Sequence, residues 1–173
     1  MTLPDTVTTE RLTLPLWTRP DVEAILDRDR DPADGPAPRL SGWHPEFPRE
    51  DDRDAATMWV EGDPWSSRYI IRNQTVLGSI GFYGPSEPAP DGTLEAEVGY
   101  GLVAEARGWG FATEALKGLL ACADEGGVRI RASVEPTNAA SLRVLAKCGF
   151  TELRGADEDG HLVMARPGGT MAG

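Results

Sequence analysis

Between Glu97 and Ala115 an apolar run ends at an arginine, two glycines one residue apart follow, and a helical pattern starts at once: Arg107-Gly108-Trp109-Gly110-Phe111-Ala112-Thr113-Glu114-Ala115. The first amides of a helix lack intrahelical partners and point outward, so a helix start holds a phosphate well, and the helix dipole adds to the attraction. Glycine lets the backbone approach an anion closely, and an arginine beside it supplies fixed positive charge. The alternative is a strand-to-helix turn that needs glycine only for its shape. Two nucleotide loops fail on the letters. No Gly-Lys-Ser or Gly-Lys-Thr occurs for a Walker loop, and Thr113 stands where a dinucleotide fingerprint needs its third small residue.

A second pattern lies about 30 residues on, Asn138-Ala139-Ala140-Ser141-Leu142-Arg143-Val144-Leu145-Ala146-Lys147-Cys148-Gly149-Phe150. Asn138 and Ser141 are three apart, which puts two polar side chains on one helix face, suited to an amide-rich linear ligand. Asn138 capping its own helix is the competing reading. Together the two stretches, R-G-x-G-[aromatic]-A-T-E-A and N-x-x-S-x-x-x-L-x-K-x-G-F, resemble the GCN5-related N-acetyltransferases, and within them the ribosomal-protein N-terminal acetyltransferase branch. The resemblance covers about residues 9 to 166.

That resemblance implies acetyl-coenzyme A as donor, no metal, and acetyl transfer to a primary amine by direct attack. The acceptor would be a protein or peptide N-terminus or a small-molecule amine. By position, Arg107, Gly108, Trp109, Gly110, Phe111, Ala112 and Thr113 would wrap the diphosphate. Leu102 and Val103 would offer backbone hydrogen bonds to the pantetheine, Asn138 would bond the same arm, and Ser141 would point at the thioester sulfur. An acyl-coenzyme-A-binding regulatory module, or a transferase of a longer acyl group, carries the same motifs.

The chemistry needs a neutral amine, aligned atoms and a stabilised leaving thiolate. A lysine-type amine near pKa ~10.4 is almost wholly protonated at neutral pH, whereas an N-terminal amine near ~7.7–8.0 is partly free. Glu97, ten residues before Arg107, is the first candidate base. Glu95 shares its strand face and is the second, and Glu135 a third, able instead to anchor the amine. Many superfamily members place a tyrosine acid four residues before the Gly-Phe; here that position is Leu145. Trp43, His44, Phe47, Trp59, Trp65 and Tyr83, with Glu50, Asp51, Asp52 and Asp54, flank the expected acceptor groove. Aromatic rings beside carboxylates suit a cationic amine. Each of them also reads as a core aromatic or a solvated acid.

The elements that must position these groups follow from periodicity. Strands are expected at Thr9–Leu14, 69–72, 76–83, 94–103, 128–134, 149–153 and 160–165, and helices at 19–26, 50–61, 111–124 and 137–147. Residues 31–49 and 85–92 read as loops. This is an α+β order with a mixed, largely antiparallel sheet of about seven strands and four helices. The resemblance adds that the fourth and fifth strands splay apart to admit the pantetheine. A chain of 173 residues suits one domain, with 167–173 as a flexible tail.

Composition excludes several classes. A net charge of −11, most of it in residues 1–96, argues against nucleic acid as partner. That acidic leading half suits a cation, or serves only to keep the protein in solution. No apolar run reaches membrane-span length and no secretion signal opens the chain, so the expected place is the cytoplasm. Cys122 and Cys148 are too far apart for a redox or metal pair. His44-Pro45-Glu46 lacks the Pro-Cys-x-x-Cys half of a zinc deaminase site. The expected state is monomer or homodimer.

Overall fold

The computed structural model describes residues 3–29 and 42–167. Its strands are β1 (Thr6–Thr8), β2 (Thr13–Pro15), β3 (Gly42–Trp43), β4 (Arg68–Arg72), β5 (Thr75–Phe82), β6 (Glu87–Pro88), β7 (Leu94–Leu102), β8 (Arg129–Val134), β9 (Glu152–Ala156) and β10 (Leu162–Ala165). The helices are α1 (Arg19–Leu26), α2 (Glu50–Thr57), α3 (Phe111–Glu125) and α4 (Ala139–Lys147). One open sheet runs β1-β2-β4-β5-β7-β8-β10-β9, with β3 beside β5 and β6 beside β7. The α+β class, the four helices and the mostly antiparallel sheet are as the sequence leads one to expect. No helix among the described residues is long and apolar enough to cross a membrane.

The local chemistry explains the main elements. Thr18 caps α1 and Asp21 answers it, both side chains bonding across the first turn. In α3, Phe111, Ala115, Leu116, Leu119, Leu120 and Ala123 are buried, a single stripe at helical spacing. Each of its leucines contributes roughly 1.5–3 kcal/mol by leaving water. Asn73 and Gln74 both take positive φ, 48° and 66°, which closes the β4–β5 hairpin tightly with the right twist.

Some boundaries differ from expectation. The single strand read over Thr9–Leu14 is a hairpin, β1 and β2, because Thr9 N–H bonds the Leu12 carbonyl at 2.9 Å and turns the chain at Glu10-Arg11. Alternation continues in register through such a turn, so periodicity does not reveal it. The core also begins earlier than residue 9, with Leu3 and Val7 buried. Two short strands, β3 and β6, stand in segments read as loops, and residues 31–41 of the first loop lie outside the described residues. The tail from 168 onward lies outside them too. The strand placed at 149–153 starts only at Glu152, since Gly149, at φ 86°, ends α4 and Phe150 drops into the core.

The feature that shapes the site lies in mid-sheet. β7 and β8 run parallel and pair only at Glu95↔Arg129, Ala96↔Ile130 and Glu97↔Arg131. Beyond Glu97, β7 continues to Leu102 on β5 alone, and β8 continues to Val134 on β10 alone. The two strands therefore part after residue 97, the splay expected between the fourth and fifth predicted strands.

Candidate active site

The splay opens towards the start of α3. Gly108 and Gly110 hold φ of 84° and 83°, the left-handed region where a Cβ is strained, and Gly110 is the N-cap of α3. The amides that follow it are those a helix leaves without internal partners. Arg107 is braced by a bond from Nε to the Leu102 carbonyl at 3.1 Å, while Trp109 is 66% exposed. Phe111 is buried, and the guanidinium carbons of Arg11 and Arg72 lie 4.7 and 4.9 Å from its ring centroid. Arg11 also bonds the Trp109 carbonyl at 3.1 Å. Two further cations thus stand at the glycine loop. Sequence reasoning missed them, because nothing in the spacing of Arg11 or Arg72 links them to a loop some 40 to 100 residues away.

The acid of the Ala-Thr-Glu-Ala stretch explains how the β1–β2 turn reaches that loop. Glu114 accepts bonds from the Arg11 backbone N–H and Nε, both at 2.7 Å, and from the Thr9 hydroxyl. Burial pushes its carboxyl up, but Thr9 and Arg11 together hold it below the ordinary range. The carboxylate locks the turn against the first turn of α3, where negative charge also suits the dipole.

The edge of β7 supplies the next part. In an antiparallel ladder alternate residues bond the neighbouring strand. Tyr83 N–H bonds the Glu97 carbonyl at 2.9 Å and Val103 N–H bonds the Leu77 carbonyl at 2.8 Å, so the odd-numbered residues serve β5. The amides of Tyr100 and Leu102 then turn to the splay, while that of Val98 faces Arg131 in the last β7–β8 pair. Of the two residues expected to offer backbone bonds to the pantetheine, Leu102 turns its amide to the splay. The Val103 amide does not, since it is already spent on β5.

Side chains alternate in the same way. Ala96, Val98 and Leu102 are buried towards α3, on the face that Tyr100 shares. On the other face a Cβ on Gly101 would strike the Arg49 guanidinium at 2.4 Å, and one on Gly99 the Tyr83 hydroxyl at 2.2 Å. Glu95 and Glu97 share that second face. Between it and α2 lies a cavity of about 250 Å³ whose lining includes Asp51, Asp54, Ser67, Tyr83 and Gly99. Asp52 does not reach it as a free acid. It is wholly buried, bonded by the Arg49 backbone and guanidinium and by Ser79.

The three candidate acids separate. Glu97 is half-buried and touches Arg131 Nε at 3.2 Å through Oε1. Glu95 is 3% exposed and sits in a cage of Arg129, Arg131 and Arg154, with contacts of 2.6 to 3.0 Å. Burial pushes its carboxyl up, yet the bonds from Arg154, Arg129 and Arg131 outweigh it and hold the group low. It is therefore neither base nor acceptor ligand; it pins the closed end of the splay. Glu135 is exposed and lies 3.8 Å from His161; neither it nor Glu97 is among the residues around the cavity.

The aromatic residues divide similarly. Trp43 is buried, bonds the Tyr69 hydroxyl at 3.3 Å and packs edge-on against Phe47, so it belongs to the core and not to the acceptor groove. His44 accepts from Glu46 N–H at Nδ1 and meets Glu105 at 2.9 Å through Nε2, tying its loop to the turn before Arg107. Trp65 packs on Phe82, and Trp59 bonds the Trp17 carbonyl. Of the aromatic residues expected at the acceptor groove, Tyr83 alone lines the cavity. The residue is about half exposed, but its hydroxyl end is tucked over Gly99. Loss of water there, with Glu97, Asp51 and Asp54 nearby, holds the phenol above its ordinary range.

On the α4 side, Asn138 is the N-cap, its side-chain oxygen accepting Ser141 N–H at 3.1 Å. That oxygen serves the helix, which leaves the side-chain NH2 to meet a ligand. Ser141 Oγ lies 2.9 Å from the hydroxyl of Tyr100, a residue the sequence reading did not single out. The alternation of β7 already placed Tyr100 opposite Glu97; what was missing was the long-range contact. Leu145, where a tyrosine acid would stand, is 1% exposed in the core.

Residues 11–151 match the family model for the acetyltransferase (GNAT) domain, and the chain belongs to that family. Solved structures of similar fold include a Bordetella pertussis chain assigned to the GnaT family of acetyltransferases, at 24% identity and a TM-score of 0.64, covering 95% of this chain and 100% of that one. The Agrobacterium tumefaciens acetyltransferase is 21% identical with a TM-score of 0.63, covering 96% of each chain. The ribosomal-protein-S5-alanine acetyltransferase of Vibrio fischeri is 17% identical with a TM-score of 0.62, covering 93% and 95%. At these identities the likeness is one of fold. No curated protein matches this chain in sequence.

Proposed function

We propose that this acetyltransferase moves an acetyl group from acetyl-coenzyme A to a primary amine by direct attack. One observation carries the reading. A splay with free strand amides leads from a glycine-lined helix start to a closed end, where a carboxylate stands on one face and a hydroxyl pair on the other. The diphosphate rests on Arg107 to Thr113, aided by Arg11 and Arg72. The pantetheine runs along Tyr100 and Leu102 as an added strand would. The Glu95 cage stops it at the parting of β7 and β8.

The acceptor enters from the α2 side, where Asp51, Asp54 and Tyr83 favour a cationic amine. Glu97, or a water it holds, takes the ammonium proton. Glu97 passes that proton to water; the neutral nitrogen then forms its bond to the thioester carbon and gives its second proton to the freed Glu97, while the C–S bond breaks and the electron pair leaves with sulfur towards Ser141. An acceptor of the N-terminal type starts nearest to the neutral form. The Vibrio fischeri neighbour is named for acetylating a ribosomal-protein alanine, and this agrees with the branch that the motifs resemble. The second reading, an acyl-coenzyme-A-binding module or a transferase of a longer acyl group, has in its favour the hold of Arg131 on Glu97.

Thiol release from acetyl-coenzyme A across a panel of peptide and small-molecule amines tests the reading, alongside calorimetric titration with acetyl-, succinyl- and free coenzyme A. Release with at least one amine is expected. Glu97→Gln should lower kcat by roughly a hundredfold and leave acetyl-coenzyme A affinity within about twofold, since a neutral isostere at that position touches no part of the diphosphate site. Tight donor binding with no release from any amine would favour the binding module.

A further inference from the structure

Leu145 leaves the departing thiolate without the side chain that related chains place there, yet the closed end of the splay contains a donor of its own. Tyr100 is on β7, three residues past the last β7–β8 pair at Glu97↔Arg131. Ser141 is in the first turn of α4. Their hydroxyl oxygens lie 2.9 Å apart, and the contact joins the two sides of the splay.

A count of hydrogens shows what this pair offers. Two hydroxyls carry two hydrogens, and the bond between them uses one. Whichever oxygen donates internally, one O–H remains for a third partner. Neither hydroxyl has another hydrogen-bond partner among the described residues. That O–H is free to meet a ligand atom on the face of β7 opposite Glu97. A linear thioester that starts at the α3 N-terminus and is stopped at the Glu97↔Arg131 closure has its reacting end between the two. The amine then comes from the Glu97 face, and sulfur leaves on the face of the hydroxyl pair.

We propose that Tyr100 and Ser141 act as one hydrogen-bonding unit on the leaving sulfur, with Tyr100 positioning the Ser141 hydroxyl; the inference rests on the acetyl-transfer reading above. As the C–S bond breaks, sulfur takes the electron pair and receives the spare O–H as a hydrogen bond. The proton of the amine leaves separately through Glu97. Tyr100 remains protonated throughout, since burial raises its phenol above the ordinary range more than its bond with Ser141 lowers it. Bonds in such a chain polarise one another, so the serine hydroxyl donates more strongly than it would alone. Burial of Leu145 and exposure of the α4 start follow from the helix stripe. The phenol reaching across from β7 supplies what α4 lacks.

A double-mutant cycle on full-length protein tests this. Tyr100→Phe keeps the ring and the packing, and should lower kcat roughly ten- to thirtyfold, since the Ser141 hydroxyl loses the bond that aims it at a developing charge, with the KM for acetyl-coenzyme A little changed. Ser141→Ala should do at least as much. In the Ser141→Ala background, Tyr100→Phe should add less than about twofold, because the residue has lost what it acts through. A second measurement needs no turnover. The affinity ratio of coenzyme A to its desulfo analogue, read by calorimetry above the ordinary thiol pKa of ~8.5, should favour coenzyme A in the wild type and fall several-fold in each variant. Multiplicative losses in the cycle, or a ratio that Tyr100→Phe leaves unchanged, would overturn the proposal. If no amine supports thiol release, the transfer reading fails, while the affinity ratio still decides whether the pair bonds sulfur.

Discussion

Replacing Glu95 by glutamine should destabilise the protein while sparing its chemistry. The carboxylate is 3% exposed and accepts from Arg129, Arg131 and Arg154 at the point where β7 and β8 last touch. Removing one partner from a buried ion pair costs about 3–5 kcal/mol, because the remaining charge is left without compensation. Here the side chains of Arg131 and Arg154 are 37% and 29% exposed and regain water, so roughly 2–3 kcal/mol is expected. For a chain of this size that corresponds to a fall in midpoint of about 5–10 °C.

The pH dependence gives a sharper signature. The arginines hold the folded carboxyl below its ordinary value near ~4.3, so the folded state binds its proton less readily than the unfolded chain. Its contribution is complete above the unfolded value and is lost as pH falls through the folded one. Denaturant titrations of wild type and Glu95→Gln should differ fully near neutrality and converge in acid. Initial rates per folded molecule should stay within about threefold, since Glu95 touches no part of the proposed reaction. Equal stability at neutral pH would refute the cage, and a hundredfold loss of kcat with intact stability would return Glu95 to the list of bases.

Two further outcomes follow from the site geometry. Gly110→Ala puts a Cβ at φ 83°, at the N-cap of α3, and should cost about 1 kcal/mol of stability; free coenzyme A should bind at least tenfold more weakly by calorimetry, because the amides shift. Asp51→Asn with Asp54→Asn should raise the KM for a cationic amine by only about two- to fivefold, since the Asp51 side chain is 83% exposed and well screened. The effect should fade in high salt and be absent for an uncharged acceptor.

The fold class and the four helices were legible because hydrophobic period sits in contiguous stretches, and the splay came only with the family resemblance that the two motifs carry. The β1–β2 hairpin was not, since alternation passes through its turn unchanged, and β3 and β6 are too short to leave a period. In the site, the glycine loop opens α3, Ser141 is in the first turn of α4, and Glu97 ends the paired part of β7. Trp43 and Glu95 did not follow: an aromatic ring and a carboxylate look alike in sequence whether they face a ligand or the core. Val103 turned on the direction of one amide, which depends on ladder register.

The sequence alone determined the local devices: the left-handed glycines before α3, the cap at Asn138, and the alternation that sets Glu97 and Tyr100 on opposite faces. Each depends on a few neighbouring residues and on backbone sterics. Tertiary structure decided which of these groups meet. Arg11 and Arg72 come to Phe111, three arginines close around Glu95, and Tyr100 reaches Ser141, because the sheet brings together residues 34 to 105 positions apart. Such contacts depend on register and on where β7 and β8 part, and no short-range pattern in the chain encodes that point.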